Sequence, residues 1–164
     1  MARIHHSRAF AIVLALLFGW TSTALAQSVT DLQVTASSSK SDVISFSLAD
    51  LDTMEQVVFS TTTIWTDGKV TFSGVPLKAV LDGVDASGTT VEMVALNDYK
   101  VAMPLSEVKD TAPIIATRMD GETMSVRDKG PYWIVFPYDQ DTSYQTETIY
   151  AFSIWQLNRL KVVD

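Results

Sequence analysis

Seven side chains in this sequence have types and predicted positions that suit recognition of a small molecule: Trp65, Asp98, Tyr99, Arg118, Tyr132, Trp133 and Tyr138. Each falls at a predicted strand end or turn, where a cleft over a sheet would be lined. Aromatic rings with one arginine suit a planar or anionic organic ligand, which they would hold by stacking and by a bidentate charged contact. The competing assignment is packing. Large aromatics usually serve a core, so Trp65 and Trp133 could be core residues and Arg118 a solvated surface charge. Trp155 is assigned to the core on the same ground.

Other chemistries are excluded by what is missing. The chain has no cysteine, and its two histidines are His5 and His6, inside a segment that reads as removable. Ser-His-Asp and Cys-His catalysis, thiolate ligation and His-bound zinc or copper are therefore not expected, and no catalytic residue or metal ligand is assigned. Carboxylates, lysine, tyrosine and hydroxyls remain for acid-base work. Asp139 and Asp141 alternate as oxygens in a calcium loop would, but Tyr144 stands where such a loop needs glycine.

The N-terminus carries an address. Arg3 and Arg8 precede an uncharged apolar run and a small, polar stretch in which Ala24 and Ala26 form the small-x-small pattern of signal-peptidase cleavage. About 12 uncharged residues rise only about 18 Å as a helix, too short for a hydrocarbon core of about 30 Å. Residues 1–26 are thus expected to be a signal peptide, with export to the periplasm through the unfolded Sec route and no membrane span after cleavage. Removing them takes away two of the 12 Lys and Arg and none of the 19 Asp and Glu, so the remaining 138 residues carry ten cations against 19 acids, a formal charge of −9. That sign disfavours nucleic acid and anionic membrane surfaces. A chain of this length makes one domain with a core that needs no disulfide.

The elements that must position the candidate residues follow from local pattern. Residues 27–42 are Ser- and Thr-rich and read as a flexible leader, with a domain over 43–164. Ser47 caps a short helical turn, and 56–65 is β-branched and aromatic enough for a strand. Asp67-Gly68 is a turn. Gly74-Val75-Pro76 opens a helix whose Leu77, Val80 and Leu81 form one apolar stripe. Residues 91–96 and 99–104 make a hairpin about Asn97-Asp98, and 113–119 is a strand closed by Asp120-Gly121. Residues 132–137 read as a strand buried on both faces, 139–148 as a polar loop, and 157–163 as a closing strand. The sum is an α+β domain, mainly β.

The order FSGVPLKAVL, VEMVALNDY, PIIATRMDGETM, GPYWIVFP and SIWQLNRLKV resembles the sulfite-oxidase-type molybdopterin-binding domain in a small, exported, stand-alone form. The resemblance spans about residues 43–163 and implies a mixed α+β fold with a mainly β core. Enzymes of that family hold molybdenum through a pterin dithiolene and one cysteine. This chain lacks the cysteine and has Tyr132-Trp133 where those enzymes usually offer a basic residue. Their cofactor is normally loaded before folded export, whereas the signal here suits unfolded export. The implied expectation is a fold kept and a metal chemistry lost, since function belongs to sites and not to folds. On that basis no cofactor is expected, molybdopterin entering by resemblance alone. The expected function is a non-catalytic small-ligand-binding or sensory module with a membrane sensor or enzyme as partner. The alternatives are a molybdopterin-dependent oxidoreductase without a cysteine ligand, or an accessory subunit of one.

Overall fold

Alternation of small apolar and polar residues starts the fold earlier than residue 43. In a computed structural model describing residues 31–37 and 40–164, Leu32–Ser37 forms strand β1 with Leu32, Val34 and Ala36 buried. Lys40–Phe46 pairs with it as β2. The flexible leader expected over 27–42 is corrected for residues 32–37 and 40–42, which are strand; its remaining residues, Asp31 excepted, lie outside the described ones. Every second side chain of β1 reaches the core, and Gln33 and Thr35 between them masked that period. The signal peptide lies outside the described residues. Among the described residues, no helix is long and apolar enough to cross a membrane.

Ser47 ends β2 and caps helix α1 (Leu48–Asp52) in a reciprocal box: its hydroxyl accepts from Asp50 N at 3.2 Å while the Asp50 carboxylate accepts from Ser47 N at 2.8 Å. Strand β3 (Val57–Thr62) is shorter than the predicted 56–65, because the chain turns at Thr63. Strand β4 (Lys69–Pro76) runs straight into helix α2 (Leu77–Gly83), whose Leu77, Val80 and Leu81 are buried as their spacing predicts. Strands β5 (Thr90–Ala95) and β6 (Lys100–Pro104) form the expected hairpin. Strand β7 (Ile114–Met119) turns through Asp120 and Gly121, both at positive φ, into the two-residue β8 (Glu122–Thr123). Strand β9 (Trp133–Val135) is buried on both faces. Helix α3 (Glu147–Phe152) was not expected; it starts inside the stretch read as a polar loop and buries only Ile149 and Phe152, too few for a helical period to show. Strand β10 (Leu157–Val163) closes the chain.

These strands make two five-stranded sheets. One has the order β2-β1-β10-β5-β6, with β10 parallel to β1 and antiparallel to β5; in the other β3-β4-β7 continues into β8 and β9, which share the far edge of β7. In the first sheet Val34, Leu160, Met93 and Val101 align across β1, β10, β5 and β6. The adjacent row is Gln33, Arg159, Val94 and Lys100. The sheet is therefore apolar toward the core and charged outside. The apolar faces of both sheets meet in one core. At the β4–β7 contact the backbones approach so closely that a Cβ on Gly74 would lie 2.0 Å from the Ile115 carbonyl oxygen, so only glycine fits there. The fold is a single α+β domain, mainly β, as the sequence implies.

Candidate functional site

Three segments distant in sequence converge at one end of the domain. The first is the turn after β3, where Thr63 Oγ1 accepts from Trp65 N at 3.0 Å and so sets the indole's position. The second is the β5–β6 turn, built by Asp98 N donating to Ala95 O at 3.0 Å and Tyr99 N donating to Asn97 Oδ1 at 3.1 Å, with Asp98 at φ +64°. The third is the link from α3 to β10, held when Gln156 N donates to Lys129 O and Leu96 N donates to Gln156 O. Between them lies a cleft of about 390 Å³ walled by Trp65, Tyr99, Tyr150 and Trp155, with Asn97, Ser153 and Gln156 as its main polar groups. Its size is within the range of small-molecule sites.

Trp65 is the hub of the wall. Its ring meets Tyr150 at 5.8 Å and 88°, Trp155 at 5.9 Å and 70°, Trp133 at 5.8 Å and 65°, and Tyr138 at 6.4 Å and 64°. These are edge-to-face contacts, favourable beyond simple burial. Behind the wall, Trp133 Nε1 donates to Ser153 O at 3.1 Å, and Ser153 Oγ donates to Ile149 O at 3.0 Å. With the Ser153 proton so placed, the Tyr138 hydroxyl is the donor in its 2.6 Å bond to Ser153 Oγ. Burial pushes the Tyr138 hydroxyl up to about 12, against which the Ser153 bond works only in part. It is a structural donor and no base near neutrality.

Of the seven residues singled out from the sequence, Trp65 and Tyr99 line this cleft, and Trp133 and Tyr138 stand behind it as buried support. Three lie elsewhere. Asp98 neighbours Tyr99 but pairs with Arg159 and borders a shallow, charged depression on the outer sheet face. Tyr132 is buried, and its hydroxyl is pushed up to about 12, first by burial and then by the charges of Asp31, Asp52 and Asp50. Arg118 on β7 donates through both terminal guanidinium nitrogens, Nη1 and Nη2, to Asp52 of α1, at 2.6 and 2.8 Å. That hydrogen bonding holds the Asp52 carboxyl below its ordinary value. The fork that was to grip an anion is already filled. Tyr150, Asn97, Gln156 and Trp155 were not singled out as site residues; Trp155, assigned to the core, is 39% exposed at the cleft mouth. The aromatic density of YAFSIW was a signal that could have found Tyr150 and Trp155.

The Asp139 and Asp141 carboxylates are also engaged. Asp139 accepts from Thr62 N and Oγ1 at 3.0 and 2.6 Å and pairs with Lys69 at 3.1 Å, and Asp141 accepts from Ser143 N at 2.8 Å. Among the described residues, no group of three or more His, Asp or Glu side chains could hold a metal ion.

A family model for the oxidoreductase molybdopterin-binding domain matches residues 21–139. The chain belongs to that family. Its structure is similar to that of the sulfane dehydrogenase SoxCD from Paracoccus pantotrophus, with a TM-score of 0.62 and 16% identity over 82% of this chain. At that identity the likeness is one of fold, and the match spans 38% of the SoxCD chain. No functionally curated protein matches the sequence.

Membership raises the question of whether these residues fit a molybdopterin. The protein ligand that the resemblance implies for the cofactor's metal is a cysteine, and the chain has none. A pterin phosphate calls for cationic or backbone donors, and neither Lys nor Arg lines the aromatic cleft. The depression on the outer sheet face does contain three cations, of which Lys100 and Arg159 pair with Glu92 and Asp98 and the third is Lys161; it offers no sulfur ligand. The side chains of this molybdopterin-binding domain do not fit the group that names its family.

Proposed function

We propose that this chain is an exported, periplasmic, non-catalytic module that binds a small organic ligand in its aromatic cleft, on a fold kept from molybdopterin enzymes. The observation that carries this reading is the cleft itself, rimmed by rings that have a rigid aromatic backing and lacking a sulfur ligand or a cation. Its polar lining comes from Tyr99, Tyr150, Asn97 and Gln156, of which Asn97 Oδ1 already accepts from Tyr99 N and Gln156 Nε2 donates to Val126 O. They can orient a ligand. A sensory role follows if the occupied cleft is read by a membrane sensor.

Two measurements test this. Protein purified from its native periplasm should begin at Gln27 by mass spectrometry and contain no stoichiometric molybdenum; near one equivalent of molybdenum would overturn the reading in favour of an oxidoreductase. A thermal-shift screen of small organic compounds should find a stabilising ligand, which at 100 times its dissociation constant adds about 2.7 kcal/mol. No shift with any compound, together with a co-purifying enzyme, would assign the chain as an accessory subunit instead.

A further inference from the structure

The shape and charge of the cleft narrow its ligand, and this step rests on the binding-module reading above. A planar aromatic ligand is best held in a slot between parallel rings. The ring pairs that wall this cleft stand at 88° for Trp65 with Tyr150 and at 70° for Trp65 with Trp155, so neither pair makes such a slot. Rings that meet near a right angle instead make a corner. A compact, roughly spherical group in that corner touches more than one π face at once.

Charge points the same way. Ring faces carry the negative side of the aromatic quadrupole and attract cations. The cleft holds no Lys or Arg to oppose a cation and no Asp or Glu to replace the rings as its partner. The arginine that could have served an anion is bound to Asp52 away from the cleft. The chain as a whole is acidic, at −7, which raises the local concentration of small cations and lowers that of anions. Behind the wall, Lys129 Nζ lies 5.7 Å from the centroid of the buried Trp133 ring, outside the cleft lining. Trp133 in turn contacts both Trp65 and Trp155. From these observations we infer that the cleft binds a compact organic cation of the methylated-ammonium class, with ring faces holding the charged head and the Tyr99 hydroxyl and Asn97 amide reaching a polar tail.

Isothermal titration of the mature chain tests this with four probes: tetramethylammonium, choline, the neutral choline isostere 3,3-dimethylbutan-1-ol, and benzoate. Choline should bind about ten-fold or more tightly than its isostere, a ratio on the scale of a desolvated cation–π contact. Trp155→Leu should weaken choline by a similar factor and Tyr99→Leu by less, with circular dichroism unchanged in both and melting temperature unchanged for Tyr99→Leu, which is 58% exposed; Trp155→Leu also loses ring contacts to Trp65 and Trp133 and should melt slightly lower. Equal binding of the isostere, preference for benzoate, or no binding of either cation would each overturn the inference. The first two of those results would leave the binding-module reading standing. That reading fails separately, on molybdenum content.

Discussion

Two regions of this domain hold groups suited to ligand binding, and only one has them free. At the β7–α1 corner, Arg118 meets Asp52 in a two-point ion pair, and Ser47 and Asp50 satisfy each other in the helix cap. At the cleft, Trp65, Tyr150 and Trp155 make ring contacts on some sides and leave others open to solvent. One well-placed carboxylate takes both terminal nitrogens of a guanidinium and neutralises its charge. An aromatic ring has two faces and an edge, so packing can occupy one and leave another to a ligand. Residue type alone therefore forecasts binding capacity better for the rings than for the arginine.

The comparison breaks most visibly if the aromatic wall is not rigid. Trp133 is fully buried and touches Trp65, Trp155 and Phe72. Trp133→Ala should cost about 3–5 kcal/mol in chemical denaturation, the range for emptying a large aromatic site. A loss below about 1 kcal/mol would mean the wall is loose and its ring angles carry no specificity. The next effect is read in alkali. Tyr138 ionises near 10 when unfolded but near 12 in the fold, so the native state keeps its proton where the unfolded chain releases it. Stability is then flat below pH 10 and falls as pH rises toward 12, by about 2–3 kcal/mol at the top of that window. Tyr138→Phe should cost about 1 kcal/mol at neutrality for the lost bond to Ser153, and should remove its own share of the alkaline decline measured by urea titration at stepped pH, leaving a like share from Tyr132.

How far these regions were legible in the sequence depends on how local their signals are. The Gly-Val-Pro-Leu entry to α2, the Asp120-Gly121 hairpin and the apolar run at β9 are written in adjacent residues, and the structure has each where the pattern places it. The occupation of Arg118 is not local, because Asp52 lies 66 positions away. Nothing near either residue announces the pair. Trp155 was passed over for the opposite reason: a large aromatic is read as core by default, and only the short α3 helix and the positive φ of Gln156 present it at the cleft beside Tyr150. Strand β1 was hidden by composition, since Ser and Thr dominate the stretch around Leu32 and Val34.

The smallest expected effect sharpens the comparison from the polar side. Side-chain exposures of 29% for Arg118 and 35% for Asp52 leave their pair partly in water, so it should contribute only about 0.5–1 kcal/mol. The sign follows from Asp52, whose carboxyl ionises below its ordinary value in the fold because Arg118 hydrogen-bonds to the charged form. The contribution is therefore fully present above the unfolded carboxyl's range, near pH 4, and fades as pH falls through the folded value. Arg118→Met should lower stability by that small amount at pH 7, and the gap to the parent chain should close in acid, as read by parallel urea titrations. Choline affinity should not change, because Arg118 lies outside the cleft. A variant that lost choline binding while keeping its stability would place Arg118 in the site after all, and the division between a filled polar corner and an open aromatic one would fall.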